Sequence, residues 1–288
     1  MAEDPLQLFK QKAEGLLTEI EKKRERYVFP LMWSLSRYIS KPDVGEIYER
    51  LRSLGKVSNL DVILFSSGGD PDQAYLIGSM LQEVVEGKLT FIIPRFAKSA
   101  STLMACAADE LVMTPASELG PVDLMIEKEG GELISILSLL ESLRVVAKME
   151  LGEAKKEVIQ NLLQKLPPTE LGDYNRLSEH MIDLAEKLLS RRMFKEDKNC
   201  AHQIAQKLCG GYKSHRACIT LADARELGFK LSNLPPEVMD MVWNLNKLWE
   251  TIVLKYDEEL SSSDSKPISL EVGRGIIFSV CPKKQGSK

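Results

Sequence analysis

The chain has 288 residues, 44% hydrophobic and 28% charged, which is enough apolar material to bury a full core and excludes a disordered chain. A formal net charge of −4 and a pI near 5.7 give no general attraction to nucleic acid or to an anionic membrane surface. Five cysteines (Cys106, Cys200, Cys209, Cys218 and Cys281) form neither a CxxC pair nor an even framework, so a reducing compartment is expected and neither a metal nor a cofactor is.

Residues 1–30 lack a basic segment leading into an apolar one, and no apolar run approaches the ~20 residues that span a bilayer. A soluble, cytoplasmic protein is therefore expected. Residues 5–26 place Leu6, Phe9, Ala13, Leu16, Leu17 and Ile20 at helical spacing before a mixed-charge run. That stripe needs a partner, either its own domain or a second subunit, and the mixed charges argue against a membrane surface.

Tyr27–Trp33 reads as a strand and Val44–Leu54 as a helix stopped by Gly55. Leu60–Phe65 is a short apolar run rich in branched residues and bounded by Ser66-Ser67-Gly68-Gly69-Asp70, the pattern of a buried parallel strand. Asp70-Pro71-Asp72 opens a helix through about Val85, with Pro71 in its first turn. Leu89–Pro94 reads as another buried strand, an alanine-rich helix starts at Ser99, and Leu111–Thr114 is again a strand. Strands and helices alternating at this spacing predict an α/β fold, a mainly parallel sheet covered by helices, with sites at the carboxyl ends of its strands.

Residues 130–166 read as one or two long helices, with Leu133, Ile136, Leu137, Leu140, Leu143 and Val146 as apolar positions, until Pro167-Pro168 stops them. Leu171–Leu189 gives another helix, Gly210–His215 a loop, Thr220–Gly228 a helix, and Glu237–Leu254 a last helix. The serine-rich Ser261–Ser265 and basic Pro282-Lys283-Lys284 read as parts of a mobile tail, within which Ile276-Ile277-Phe278 offers a short strand.

Chemistry concentrates at two turns that each end a buried strand. Ser99 precedes a run of small side chains, Ala100–Ala108, whose first amides have no intrahelical acceptor. A serine there is a normal N-cap. As a nucleophile it also gains an adjacent amide for the oxyanion that its attack creates, and the Gly68-Gly69 turn offers the second donor of a two-donor hole.

Phe65-Ser66-Ser67-Gly68-Gly69, Ala97-Lys98-Ser99-Ala100-Ser101-Thr102 and Ile219–Phe229 together resemble the ClpP/crotonase superfamily over residues 27–232. Ala97–Ala100 and Ser117–Asp123 look most like its serine dehydrogenase proteinase branch, related to the ClpP and SppA peptidases. The resemblance implies a ClpP/crotonase-like ββα superhelix with its mainly parallel sheet under helices. It also implies a serine peptidase acting on peptides or proteins and a homo-oligomer. The resemblance sets the catalytic domain at 27–232, and the patterning around it gives an N-terminal amphipathic helix at 1–26, a C-terminal helix at 233–260 and a mobile tail at 261–288. Ser99 would be the nucleophile, with an oxyanion hole at Gly68, Gly69 and Ala100, Gly69 and Ala100 donating.

A serine nucleophile needs a base and a group that orients the base. Of the three histidines, His180 and His202 fall on charged helical faces, whereas His215 precedes the Thr220–Gly228 helix where ClpP carries its triad aspartate. Asp123 lies where ClpP carries its triad histidine. The resemblance therefore implies the exchanged order Ser99, Asp123, His215, although Asp123 is also suited to tying its own turn and His215 its own loop. A Ser-Lys dyad, as in SppA, is the competing chemistry. Lys98 points away if Ser99 faces the site, Lys128 is opposed by Glu127 and Glu129, and Lys148, after Val145-Val146-Ala147, is the better candidate. Two departures bear on activity: Ser101 stands where relatives often have glycine, a hydroxyl able to crowd the oxyanion region, and Leu124 where they often have proline. A catalytically degenerate scaffold and a crotonase-type acyl-CoA enzyme are thus the alternatives, the second without any identifiable CoA pocket.

Overall fold

The computed structural model describes residues 4–127, 133–148, 160–161, 168–260 and 265–282. Helix α1 (Pro5–Arg24) begins where the Asp4 carboxylate accepts the Leu6 amide at 3.0 Å, with Pro5 as its first residue. Then come β1 (Tyr27–Trp33), α2 (Lys41–Leu54), β2 (Leu60–Phe65), α3 (Pro71–Val84), β3 (Leu89–Ile93), β4 (Phe96–Ala97), α4 (Ala100–Ala105), β5 (Glu110–Met113) and β6 (Glu118–Leu119). The second half contains β7 (Met125–Glu127), β8 (Leu133–Ser135), α5 (Ile136–Lys148), α6 (Pro168–Arg191), α7 (Lys198–Gly210), β9 (Ile219–Thr220), α8 (Leu221–Glu226) and α9 (Pro236–Leu248). A π-helical stretch (Trp249–Leu254), α10 (Lys255–Glu259), β10 (Ser265–Val272) and β11 (Gly275–Pro282) complete it.

Six strands form the main sheet in the order β10-β11-β1-β2-β3-β5, parallel throughout except for the antiparallel β10–β11 edge. One line of side chains crosses it, from Phe29 to Val62 to Phe91 to Leu111. Strands β2 and β3 are buried along their whole length, which is why they read as unbroken apolar runs rather than as alternation. Pro30 has no N–H to donate, and the β1–β11 pairing begins one residue after it, at Leu31 and Ile276.

Helices cover both faces. Phe29, Leu31, Leu64 and Ile93 pack with residues of α2, α3, α4, α6 and α7, while Met32, Ile63, Phe65 and Ile92 pack with α1, α9 and the π-helical stretch. The stripe of α1 is thus satisfied within its own chain: Phe9 meets the Trp249 ring edge-on at 5.4 Å between centroids. Arg24 at the end of α1, with Arg26, pairs the fully buried Asp61 of β2 at 2.7 and 3.2 Å, tying the helix to the sheet.

Two stretches depart from the sequence reading. Within the stretch expected as a mobile tail, 261–288, residues 265–282 instead form β10 and β11; the short strand offered at Ile276-Ile277-Phe278 falls in β11, which pairs with β1 inside the sheet, and 261–264 and 283–288 lie outside the described residues. In the segment expected to be helical from 130, residues Leu133–Ser135 instead form β8, paired with β7 in a hairpin, and α5 starts only at Ile136. Residues 128–132, 149–159 and 162–167, which include Lys128 and much of the expected long helices, lie outside the described residues.

Candidate active site

The two turns flagged in the sequence meet because the end of β2 pairs with β4. The Ser66 amide donates to the Phe96 carbonyl at 3.3 Å, and the Lys98 amide donates back to the Ser66 carbonyl at 3.0 Å. The Gly68-Gly69 turn is thereby laid directly against Ser99. A methyl group at Gly68 would stand 2.9 Å from Ser99 Cβ. On its other side the turn is clasped by the loop before α2: the Ile39 amide donates to the Gly68 carbonyl and the Asp70 amide to the Ile39 carbonyl, both at 2.9 Å.

Ser99 has φ 51° and ψ −120°, a backbone region that an L-residue occupies only when its surroundings enforce it. Its side chain makes no capping hydrogen bond to α4. The serine therefore does not perform the ordinary N-cap role open to it, and its conformation is held by Ser66, which accepts the Lys98 amide, and by Ser101. The Ser101 amide donates to the Lys98 carbonyl at 2.9 Å, and its buried hydroxyl lies 2.9 Å from the Ser66 carbonyl and 2.6 Å from that of Lys98. The hydroxyl of Ser101, expected to be able to crowd the oxyanion region, instead staples the two turns together.

Beside Ser99 opens a cavity of about 520 Å³. Gly69, Ser99, Ala100, Asp123 and His215 all line it, and Leu124, Met125 and Met181 form an apolar wall. Of the three predicted oxyanion residues, Gly68 is the one whose amide is engaged, donating to Ser66 Oγ at 3.0 Å. Ala100 is the first residue of α4, where an amide has no intrahelical acceptor.

Asp123 is buried, and its Oδ2 lies 3.9 Å from His215 Nδ1. That nitrogen is itself buried without a hydrogen-bond partner among the described residues. Oδ2 accepts a hydrogen bond from the Ser135 hydroxyl, a contact that no sequence signal marked because it depends on the β7–β8 hairpin. Behind Asp123 lies Cys209, whose thiol is pushed up to about 12 by burial and then by the Asp123 charge, so it is an inert neighbour rather than a rival nucleophile.

The remaining candidates lie elsewhere. His180 pairs Asp72 at 2.8 Å and His202 pairs Glu186 at 2.6 Å, both on the exterior. Lys98 is bound to the Glu118 carboxylate and to the Leu119 carbonyl at 3.2 Å. Burial raises the Glu118 carboxyl, but hydrogen bonds with Lys98, Cys218 and Arg95 outweigh it and hold it at about 2. Lys148 is exposed at the last residue of α5 and is not among the described residues lining the cavity.

The close fit at the glycine turn carries a prediction. A Cβ at Gly69, where φ is 146°, would sit 2.4 Å from the backbone nitrogen and oxygen of Ile39. Gly69→Ala is expected to cost about 2 kcal/mol or more, read as a lower Tm. Gly45, exposed in α2 with nothing near its added carbon, serves as the control, since alanine there is expected to gain about 0.5–1 kcal/mol. Equal effects at the two positions would mean that the turn is not clasped as described.

The chain is similar to two uncharacterized proteins of Methanocaldococcus jannaschii, each 27% identical over 207 residues, or 72% of this chain. It spans 63% of the length of one and 65% of the other. Among solved structures it is similar to the 1510-N membrane-bound stomatin-specific protease in complex with a substrate peptide, at 13% identity, with 90% of this chain and 93% of that one covered and a TM-score of 0.45. The ClpP catalytic domain from Plasmodium falciparum matches at 11% identity, covering 79% of this chain and 92% of that one, with a TM-score of 0.40. Among the described residues, no helix is long and apolar enough to cross a membrane. The family model of the ClpP-like SDH-type serine proteinases matches residues 7–256, and the chain belongs to that family.

Proposed function

We propose that the protein is an active serine peptidase that hydrolyses peptide bonds through an acyl-enzyme on Ser99. The observation that carries this reading is Ser99 itself, a non-glycine residue held at φ 51° with its side chain released from capping, at the edge of a cavity shared with an Asp–His pair. Backbone strain persists only where the structure over-determines it, and here it falls on the serine that the glycine turn packs against. In the proposed reaction Ser99 Oγ attacks the scissile carbonyl carbon and His215 takes the hydroxyl proton. The negative charge on the former carbonyl oxygen is met by the amides of Gly69 and Ala100. Asp123 balances the imidazolium. Expulsion of the amine, which receives the proton from His215, leaves the acyl-enzyme, and water then hydrolyses it by the reverse sequence.

The separation of 3.9 Å between His215 Nδ1 and Asp123 Oδ2 is about 1 Å longer than a hydrogen bond. Catalytic hydrogen bonds of this kind are commonly long before substrate arrives and tighten in the complex. Incubation with a fluorophosphonate followed by peptide mapping tests the reading. An adduct on Ser99 supports it, and an unmodified protein favours the catalytically degenerate scaffold.

The five cysteines are free, which supports a reducing, cytoplasmic setting for this function. We further propose that the active form is a homo-oligomer assembled through α5 and not through α1, whose stripe is already buried. Val145 on α5 is 48% exposed, an apolar side chain without cover. Sedimentation at micromolar protein is expected to give a mass well above the 32.3 kDa of one chain, and a monomer would refute the assembly.

A further inference from the structure

Ser135 occupies a junction that the catalytic scheme does not use. It is the last residue of β8 and stands immediately before α5, in the N-cap position, where its Oγ accepts the Ser138 amide at 3.1 Å. The same hydroxyl donates its proton to Asp123 Oδ2. One small side chain thus connects the start of a 13-residue helix to a buried carboxylate, and both Ser135 and Asp123 are 7% exposed. The oxygen that Ser135 holds is the one facing His215 Nδ1 at 3.9 Å.

A carboxylate has several acceptor sites and rotates freely unless its oxygens are held. Asp123 sits in a loop between β6 and β7. The backbone around it is fastened to the same unit as Ser135: Met125 pairs with Ser135 across the hairpin, and the Ile136 amide donates to the Leu124 carbonyl at 3.0 Å. We infer that Ser135 is a positioning residue for the Asp123–His215 pair, donating its hydroxyl to Oδ2 so that this oxygen stays turned toward His215 Nδ1. Because the hydroxyl oxygen also caps α5, the orientation of Asp123 depends on whether the first turn of that helix is formed. The inference rests on the reading of Ser99, Asp123 and His215 as the reacting set.

The test measures second-order rate constants for fluorophosphonate labelling of the full chain across pH, alongside thermal melts. Ser135→Gly removes the hydroxyl while leaving a residue that a helix N-cap tolerates, so the orienting role is separated from capping. Labelling by Ser135→Gly and Ser135→Ala is expected to slow by about tenfold or more, the loss typical of a hydrogen bond to a charged group, and Ser135→Thr is expected to restore it. In an Asp123→Ala background the further change Ser135→Gly is expected to cost nothing, because the group it orients is gone. A purely structural role predicts instead that the two losses multiply. Wild-type labelling by Ser135→Gly, or multiplied losses in the double variant, would overturn the inference while leaving the reacting set intact. Wild-type labelling by Asp123→Ala itself would overturn the reacting set, and the inference with it.

Discussion

Alanine at position 99 is expected to abolish fluorophosphonate labelling and to lower peptide hydrolysis by about ten-thousand-fold or more, the loss usual when a serine nucleophile is removed. The hydroxyl has no structural duty to confuse the result, since it makes no cap to α4. Ser101, the neighbouring hydroxyl, cannot take over while its own proton is given to the carbonyls of Ser66 or Lys98 inside the core. A companion variant separates chemistry from fold. Ser99→Gly is equally inactive but relieves the φ 51° conformation, so it is expected to gain about 1 kcal/mol and to raise Tm by roughly 2–4 °C. Higher stability with no activity is the signature of strain kept for function. Labelling that survives Ser99→Ala places the nucleophile elsewhere, and a lower Tm for Ser99→Gly removes the strain argument.

His215→Gln is expected to lower turnover by about a thousandfold or more while leaving the melt unchanged, because the ring is only part-buried and its Nδ1 makes no hydrogen bond among the described residues. Asp123→Asn is expected to be similarly damaging, since an amide cannot balance the imidazolium and can present its NH₂ group to Nδ1. The pH dependence follows from the base. An imidazole must be neutral to accept the Ser99 proton, so activity is expected to fall on acidification and to lose that acid limb in His215→Gln. A lysine base would put the limb at higher pH. Lys148 is exposed at the end of α5, and Lys98 is held by Glu118, whose carboxyl at about 2 stays ionised at every working pH. Lys148→Ala is therefore expected to be neutral. A dead Lys148→Ala beside an active His215→Gln would decide for the dyad.

Much of the first half of the chain was legible without coordinates. Strands β2 and β3 are unbroken apolar runs because both of their faces are covered, and α3 begins at Asp70-Pro71 because Asp70 caps it, accepting the amides of Asp72 and Gln73 at 2.9 and 3.2 Å. These signals are local. The second half misled where structure depends on distant partners. Residues 265–282 carry serine, lysine and proline in a pattern that resembles a tail, yet β11 lies between its neighbour β10 and β1, the latter more than two hundred residues away in the chain. No local propensity encodes that pairing. The β7–β8 hairpin was likewise hidden by apolar residues that fit helical spacing.

The candidate site divides along the same line. By itself the sequence determined which residue types stand at strand ends, the glycine turn, the serine before small side chains, and Asp123 and His215 as partners implied by resemblance. Whether Ser99 caps its helix was decided only in three dimensions, where Ser66 pairs with Phe96 and Lys98 and Ser99 takes a positive φ without a capping bond. Ser101 changed meaning there too, from an obstruction to a staple, because its rotamer answers to the Ser66 carbonyl across the fold. The contact of Ser135 with Asp123 was beyond any spacing rule. A hydroxyl's hydrogen bond is set within a few tenths of an ångström by how a hairpin folds and where a helix starts, and only tertiary packing determines both.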